Sequence, residues 1–196
     1  MKNFMLIAVL SVLTFQGISA DEFKINGKFL PGGADGLPYA WVHNKFGGPK
    51  ADNGTVVLNK VSDKEYTLGV LASSKYNAHI ITTLRKYCPA PGDKLEISAL
   101  VKGKGAAMLG IYAFATIDWT NVPSYKPIKL SEKEFVRQSA VLTVPQSIRS
   151  SKGVVPCNRV AIVLWTGKNS EVFFRDVQIR KLKFEKPHKE VKKITK

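Results

Sequence analysis

Cysteine is nearly absent: two residues, Cys88 and Cys157, in a chain of 196. That excludes a disulfide-dense miniature fold and a thiolate zinc site, which needs further Cys or His at ligand spacing. Histidine is almost as scarce, and His43, His79 and His188 stand too far apart to form a local metal motif. Helix signals are few, the one helix-like stretch being Leu-Ser-Glu-Lys-Glu at 130–134. No Gly-x-Ser-x-Gly elbow, His-Glu-x-x-His pair or phosphate-cradling glycine loop occurs, so no nucleophilic, zinc-hydrolase or nucleotide site is signalled. Acid is also short, 15 Asp and Glu against 30 Lys and Arg. Those dispersed acids single out no pair for glycosidase work. A charge of +15 favours anionic partners in general, such as acidic glycans or envelope surfaces.

Long apolar runs are missing after the first. Lys2, the apolar stretch Phe-Met-Leu-Ile-Ala-Val-Leu-Ser-Val-Leu-Thr-Phe and the small-residue end Gly-Ile-Ser-Ala read as a signal peptide over 1–20. The run is too short to span a bilayer, and no later one reaches spanning length. The reading is a secreted or periplasmic protein without a membrane-spanning segment, which sets nucleic acid aside as a partner. Removing Lys2 takes the charge only from +15 to +14, so the basic character belongs to the mature chain. Residues 183–196 hold six lysines against two glutamates and have little to bury. The organisation is therefore one domain over 21–183 and a solvated basic tail over 184–196. In an oxidising compartment the cysteine count suits one disulfide, Cys88 to Cys157.

What is abundant is β-branched and aromatic residues in short runs, divided by Gly, Pro, Asn and Asp. The pattern predicts strands over 39–44, 55–60, 65–71, 78–86, 94–103, 106–116, 134–144, 158–165 and 171–183, with a short one near 23–25. Lys-Leu-Glu-Ile-Ser-Ala-Leu-Val-Lys alternates as a half-buried strand should. Ala-Ala-Met-Leu-Gly-Ile-Tyr-Ala-Phe-Ala-Thr and Arg-Val-Ala-Ile-Val-Leu-Trp are apolar in both phases, as in the middle of a sandwich or beside a covered cleft. The fold class is all-β, a jelly-roll sandwich of two antiparallel sheets. Two long loops are expected, 117–133 and 145–156. In Glu-Val-Phe-Phe-Arg-Asp-Val-Gln-Ile the apolar phase switches between Phe174 and Val177, which calls for a β-bulge near Arg175 and Asp176. Asp176 at that kink is either a ligand group or the partner of a neighbouring Arg or Lys.

The opening Ile-Asn-Gly-Lys-Phe with its Gly-rich stretch and Pro-Tyr-Ala-Trp, the middle Pro-Ala-Pro-Gly-Asp-Lys-Leu-Glu-Ile-Ser-Ala-Leu-Val-Lys-Gly, and the closing Val-Phe-Phe-Arg-Asp-Val-Gln-Ile together resemble carbohydrate-binding modules of the family four, nine and twenty-two type. The resemblance runs from Asn26 to Leu182 and implies a galactose-binding-like β-sandwich. It also implies that Trp41 packs as core. Members often bind a structural Ca²⁺ through a Glu after the opening Phe and the final Asp. Asp176 matches the Asp and is the metal candidate; Leu30 stands where the Glu would be, and Arg175 where a first Asp would precede Asp176.

Sugar recognition needs flat aromatic faces for the apolar sides of pyranose rings and polar groups for the hydroxyls. Trp119 and Tyr125 in the long loop, Tyr112 on the strand before it and Trp165 at the end of the penultimate strand are the stacking candidates. Arg137 and Gln138 are the hydrogen-bonding ones. Trp119 and Tyr125, lying among polar residues, are expected to carry most of the contact. The expected partner is a polysaccharide or cell-surface glycan, bound without catalysis. The alternative is an envelope or adhesion-type interaction module that keeps the sandwich and has lost sugar affinity.

Overall fold

The structure, a computed structural model, describes residues 20–44, 52–82, 89–115, 121–157 and 159–182. Residues 1–19 of the expected signal peptide, the expected basic tail, Cys88 and Trp119 lie outside the described residues. Strands β1 (Ala20–Glu22), β2 (Trp41–Asn44), β3 (Thr55–Ser62), β4 (Glu65–Leu71), β5 (Ala78–Thr82), β6 (Lys94–Lys104) and β7 (Ala107–Phe114) are followed by β8 (Asn121–Ile128), β9 (Val136–Thr143), β10 (Ser147–Ser150), β11 (Gly153–Pro156), β12 (Arg159–Thr166) and β13 (Glu171–Leu182). They form two antiparallel sheets, one ordered β3-β4-β13-β6-β9 with β1 beside β13, the other β2-β5-β12-β7-β8. Helix among the described residues is limited to one 3₁₀ turn, Ala34–Gly36, and no helix there is long and apolar enough to cross a membrane.

The inner faces meet in one core. Leu68, Val70, Leu95, Ile97, Val101, Val172, Phe174 and Ile179 of the first sheet close on Ile80, Leu109, Ile111, Ile162 and Leu164 of the second. β6 shows the alternation its sequence demands, with Leu95, Ile97, Ala99 and Val101 buried between half-exposed neighbours. The expected bulge is present: β13 shifts register against β6 between Arg175 and Gln178. Asp176 there adopts φ 47°, a left-handed conformation that Asp tolerates better than most residues. At this shift β13 changes neighbours. β4 pairs with residues 171–174 and β1 with residues 180–182. Between them the Val177 amide donates to the Gly27 carbonyl at 2.9 Å.

That contact explains the turn-rich opening. A Cβ on Gly27 would lie 1.7 Å from the Val177 carbonyl oxygen, so only glycine lets the two backbones meet. Beside it the buried Asn26 side chain donates to the Leu30 and Tyr39 carbonyls and accepts from the Leu30 amide, each at 2.9 Å. Trp41 is 2% exposed, donates its Nε1–H to the Asn26 carbonyl at 2.9 Å and lies 5.3 Å from the Phe29 ring. The opening is a core-closing knot, and Trp41 is core.

Three expectations need correction. The stretch over 117–133 is not one long loop, because 121–128 form β8, an edge strand. Pro123 and Pro127 hid it from a sequence reading, yet proline is tolerated where a strand has no outer partner to donate to. Four residues apart, both turn the place of the missing N–H to the same, unpaired side. The stretch over 145–156 holds the hairpin β10–β11. Leu-Ser-Glu-Lys-Glu is not helical: the Ser131 hydroxyl accepts from the Lys133 and Glu134 amides, each at 3.3 Å, and the chain bends there.

Cys157 is buried and stands as a thiol in this structure, its pKa raised chiefly by burial; Cys88, its expected partner, lies outside the described residues. Chain length still favours the bridge. Ile81 pairs with Val163, and Cys88 lies seven residues beyond the first while Cys157 lies six before the second. Oxidised, denatured protein is expected to titrate no thiols, and the closed loop to contribute roughly 4 kcal/mol. Two thiols per chain would end the proposal.

Candidate functional site

Both phases of β7 and β12 are apolar because each has something to cover. One phase fills the core. The other builds a second cluster on the outer face of the five-stranded sheet: Tyr112, Ala161 and Val163 buried, with Ile81, Phe114, Tyr125 and Trp165 packed partly buried around them. Register explains the gathering. Tyr125 lies opposite Gly110, Gly110 opposite Val163 and Val163 opposite Ile81. Trp165 lies opposite Met108 on one side and His79 on the other.

The rings form a connected row. His79 sits 6.2 Å from Tyr112, 6.1 Å from Tyr125 and 6.3 Å from Trp165. Tyr112 lies 6.1 Å from Tyr125 and 6.3 Å from Phe114, both edge-on. The spacings and tilts are those of favourable aromatic pairs. Gly110 makes the arrangement fit, since a Cβ there would stand 2.2 Å from Cδ1 of Tyr125 and 2.7 Å from the Ser124 carbonyl oxygen. The Tyr125 ring rests on bare backbone.

Polar atoms run through the row. His79 Nδ1 and the Tyr112 hydroxyl are 2.6 Å apart, and the Tyr112 hydroxyl also bonds with Tyr125 and Asn44. Burial of the His79 ring, helped by the charge of His43, pulls its pKa from an ordinary 6.5 to about 4. The ring is therefore neutral near pH 7, and its Nδ1 shares one hydrogen bond with the Tyr112 hydroxyl. Burial raises the pKa of the Tyr112 hydroxyl, opposed by its bonds with Tyr125 and Asn44. Burial and then the bond with Tyr112 raise that of Tyr125. The polar atoms within the row are thus uncharged and bonded among themselves.

The lowered His79 pKa has a testable consequence. Unfolded His79 takes up a proton below about pH 6.5, while the folded side chain resists until about 4. Stability contributed by the neutral ring is full above the higher value and lost as pH falls through the lower one. The loss is up to about 3 kcal/mol at roughly 1.4 kcal/mol per pKa unit. Thermal midpoints of the wild type are expected to fall between pH 6.5 and 4, and those of His79→Phe to fall less steeply. Parallel curves would refute the assignment.

Of the residues picked out in the sequence, Tyr112, Tyr125 and Trp165 come together here, Tyr125 from strand β8 rather than from a loop. Trp119 lies outside the described residues, in the 116–120 connection between β7 and β8. Arg137 and Gln138 do not join them, because β9 belongs to the other sheet. Gln138 Oε1 accepts from the Lys129 amide at 3.3 Å. Arg137 pairs with the Asp176 carboxylate and donates to the Asp176 carbonyl at 2.8 Å. Gln178 adds a bond to the same carboxylate oxygen at 3.0 Å. Burial pushes the Asp176 carboxyl up, but the bonds from Arg137 and Gln178 and the charges of Arg137 and Lys28 outweigh it and hold it below its ordinary value. A guanidinium on that oxygen opposes a divalent cation there, so the structure gives Asp176 the ion-pair role. No group of three His, Cys, Asp or Glu suited to a metal occurs among the described residues. His79 and Gly110 were missed. Their signals were a polar ring within the apolar run Ala-His-Ile-Ile and a lone glycine inside a strand.

No protein-family model and no curated protein sequence matches the chain. Solved structures do. The CBM22-1 xylan-binding domain of Xyn10C from Paenibacillus barcinonensis superposes with a TM-score of 0.53 at 13% identity, over 86% of this chain and 99% of that one. The chain has the β-sandwich fold of the carbohydrate-binding modules. The same module-type sandwich is shared by a cyclase from Fischerella sp. TAU, with a TM-score of 0.55 at 13% identity over 86% of this chain and 100% of that one. It also matches the enzymatically active domain of bacteriophage CBA120 tailspike protein 4, with a TM-score of 0.54 at 14% identity. That match takes in 74% of this chain but only 20% of the tailspike domain. On this module fold the aromatic row occupies the outer face of one sheet, while ion pairs such as Arg137–Asp176, Arg180–Glu96 and Lys104–Glu171 belong to the other.

Proposed function

We propose that this domain binds a polysaccharide, without cleaving it, on the outer face of the five-stranded sheet, and that it does so outside the cell or in the periplasm. The observation that carries the reading is the row of half-buried rings Trp165, Tyr125 and Phe114 around the Tyr112–His79 pair. Pyranose rings offer apolar faces to such a floor and hydroxyls to neutral donors and acceptors. Trp119, in the connection beside the Phe114 end, is proposed as a further stacking ring. The +14 charge left when Lys2 departs with the expected leader favours an anionic glycan through long-range attraction. The fold neighbour from Paenibacillus barcinonensis, named as xylan-binding, supports the reading by analogy of fold.

Affinity electrophoresis through gels containing a panel of plant and microbial polysaccharides tests the proposal. Retardation by at least one polymer, recovered at unchanged length, is the expected result. Free migration through every gel at low salt would overturn it in favour of an envelope or adhesion-type interaction module.

A further inference from the structure

The outer face carries one formal charge in its paired register. Arg159 opens β12 opposite Phe114, in the same phase as Ala161, Val163 and Trp165. It is half-buried. The six ion pairs among the described residues all involve the other sheet or its turns, and none includes Arg159. A half-buried guanidinium is more costly to leave without an anion than one in open water. Its planar fork matches a carboxylate with two parallel hydrogen bonds, which an ammonium group does not reproduce. Trp165 stands six residues along the same strand, about 20 Å away at the usual strand rise. The face is therefore long enough to seat several sugar rings between a stacking end and a charged end.

We propose that Arg159 binds the carboxylate of a uronic acid residue at the Phe114 end of the face, so that the preferred ligand is a uronate-bearing polysaccharide. This rests on the reading of the face as a glycan site and adds to it the class of sugar and the residue that selects it. Scattered surface lysines also attract acidic polymers, but their attraction is distributed and strongly screened by salt. Replacing one of them removes little of it. A site built on one half-buried guanidinium predicts the opposite, a preference lost with a single side chain.

The test uses glucuronoxylan and the same polymer after chemical reduction of its carboxyl groups, titrated calorimetrically into full-length wild type, Arg159→Gln, Arg159→Lys and, as a surface control, Lys126→Gln. Thermal midpoints establish that each variant is folded. Wild type and Lys126→Gln are expected to bind the native polymer about tenfold more tightly than the reduced one, the effect of one charged, bidentate contact. Arg159→Gln is expected to bind both polymers as wild type binds the reduced one, and Arg159→Lys to keep part of the preference. If Arg159→Gln keeps the full preference, or wild type binds both polymers equally, Arg159 is not the reader, and the glycan reading survives without it. If wild type binds neither polymer, the inference falls for this uronate, and the polysaccharide panel decides the broader reading separately.

Discussion

Trp41→Ala is expected to destabilise the domain by about 3–5 kcal/mol, the usual cost of truncating a fully buried large aromatic. Trp41 fills the space beneath the opening loop against Phe29, and its indole N–H satisfies the buried Asn26 carbonyl. Removing the ring leaves a cavity and takes one of two hydrogen bonds from the Asn26 carbonyl, which keeps that of the Phe29 amide. Domains of this size have about 5–15 kcal/mol in total, so the variant is expected to unfold at a much lower denaturant concentration. Trp41→Phe keeps most of the volume and loses mainly the hydrogen bond, so it is expected to cost less than half as much. Denaturant midpoints at unchanged slope measure both. A loss below about 1 kcal/mol in Trp41→Ala would mean that the opening loop does not close the core.

The second large effect is expected at Gly110, and it is on binding. A methyl group there meets the Tyr125 ring and the Ser124 carbonyl, both inside contact distance. The ring alone cannot resolve the overlap, because the second contact is backbone, so β8 must shift away from β7. Gly110→Ala is expected to cost about 1–3 kcal/mol of stability, as overpacking does, and to lower glycan affinity by about tenfold or more, since a displaced aromatic forfeits both its area and its ring geometry. Full affinity in a folded Gly110→Ala protein would show that Tyr125 does not need its seat.

Particular residues show how much of this could be read from the chain. Leu95, Ile97, Ala99 and Val101 announced β6 because a strand with one buried face must alternate. The change of phase after Phe174 announced the bulge for the same reason. Pro123 and Pro127 concealed β8, since proline counts against a strand unless the strand is known to be an edge, and edges are set by the order of strands in space. The sequence therefore shows the chemistry of Tyr125 but not its place on an edge strand. It shows the chemistry of Arg137 too, and only the sheet order reveals that it faces Asp176. Tyr112 and Trp165 were legible as residues in doubly apolar strands. Whether the second phase covers core or ligand is decided by what lies above that sheet, which no local pattern encodes. His79 gave a faint signal, because one ring among aliphatic neighbours is common in any core.

The location of binding is the central claim, and one comparison tests it most directly: calorimetric affinity for the best-retarded polysaccharide in Tyr125→Ala and in Arg137→Ala. The two side chains lie on different sheets, and each variant is first shown to be folded by its thermal midpoint. Tyr125→Ala is expected to lose about tenfold in affinity, or roughly 1.4 kcal/mol, while Arg137→Ala binds as wild type does. Unchanged binding in Tyr125→Ala together with lost binding in Arg137→Ala would place the glycan on the charged sheet and contradict the account.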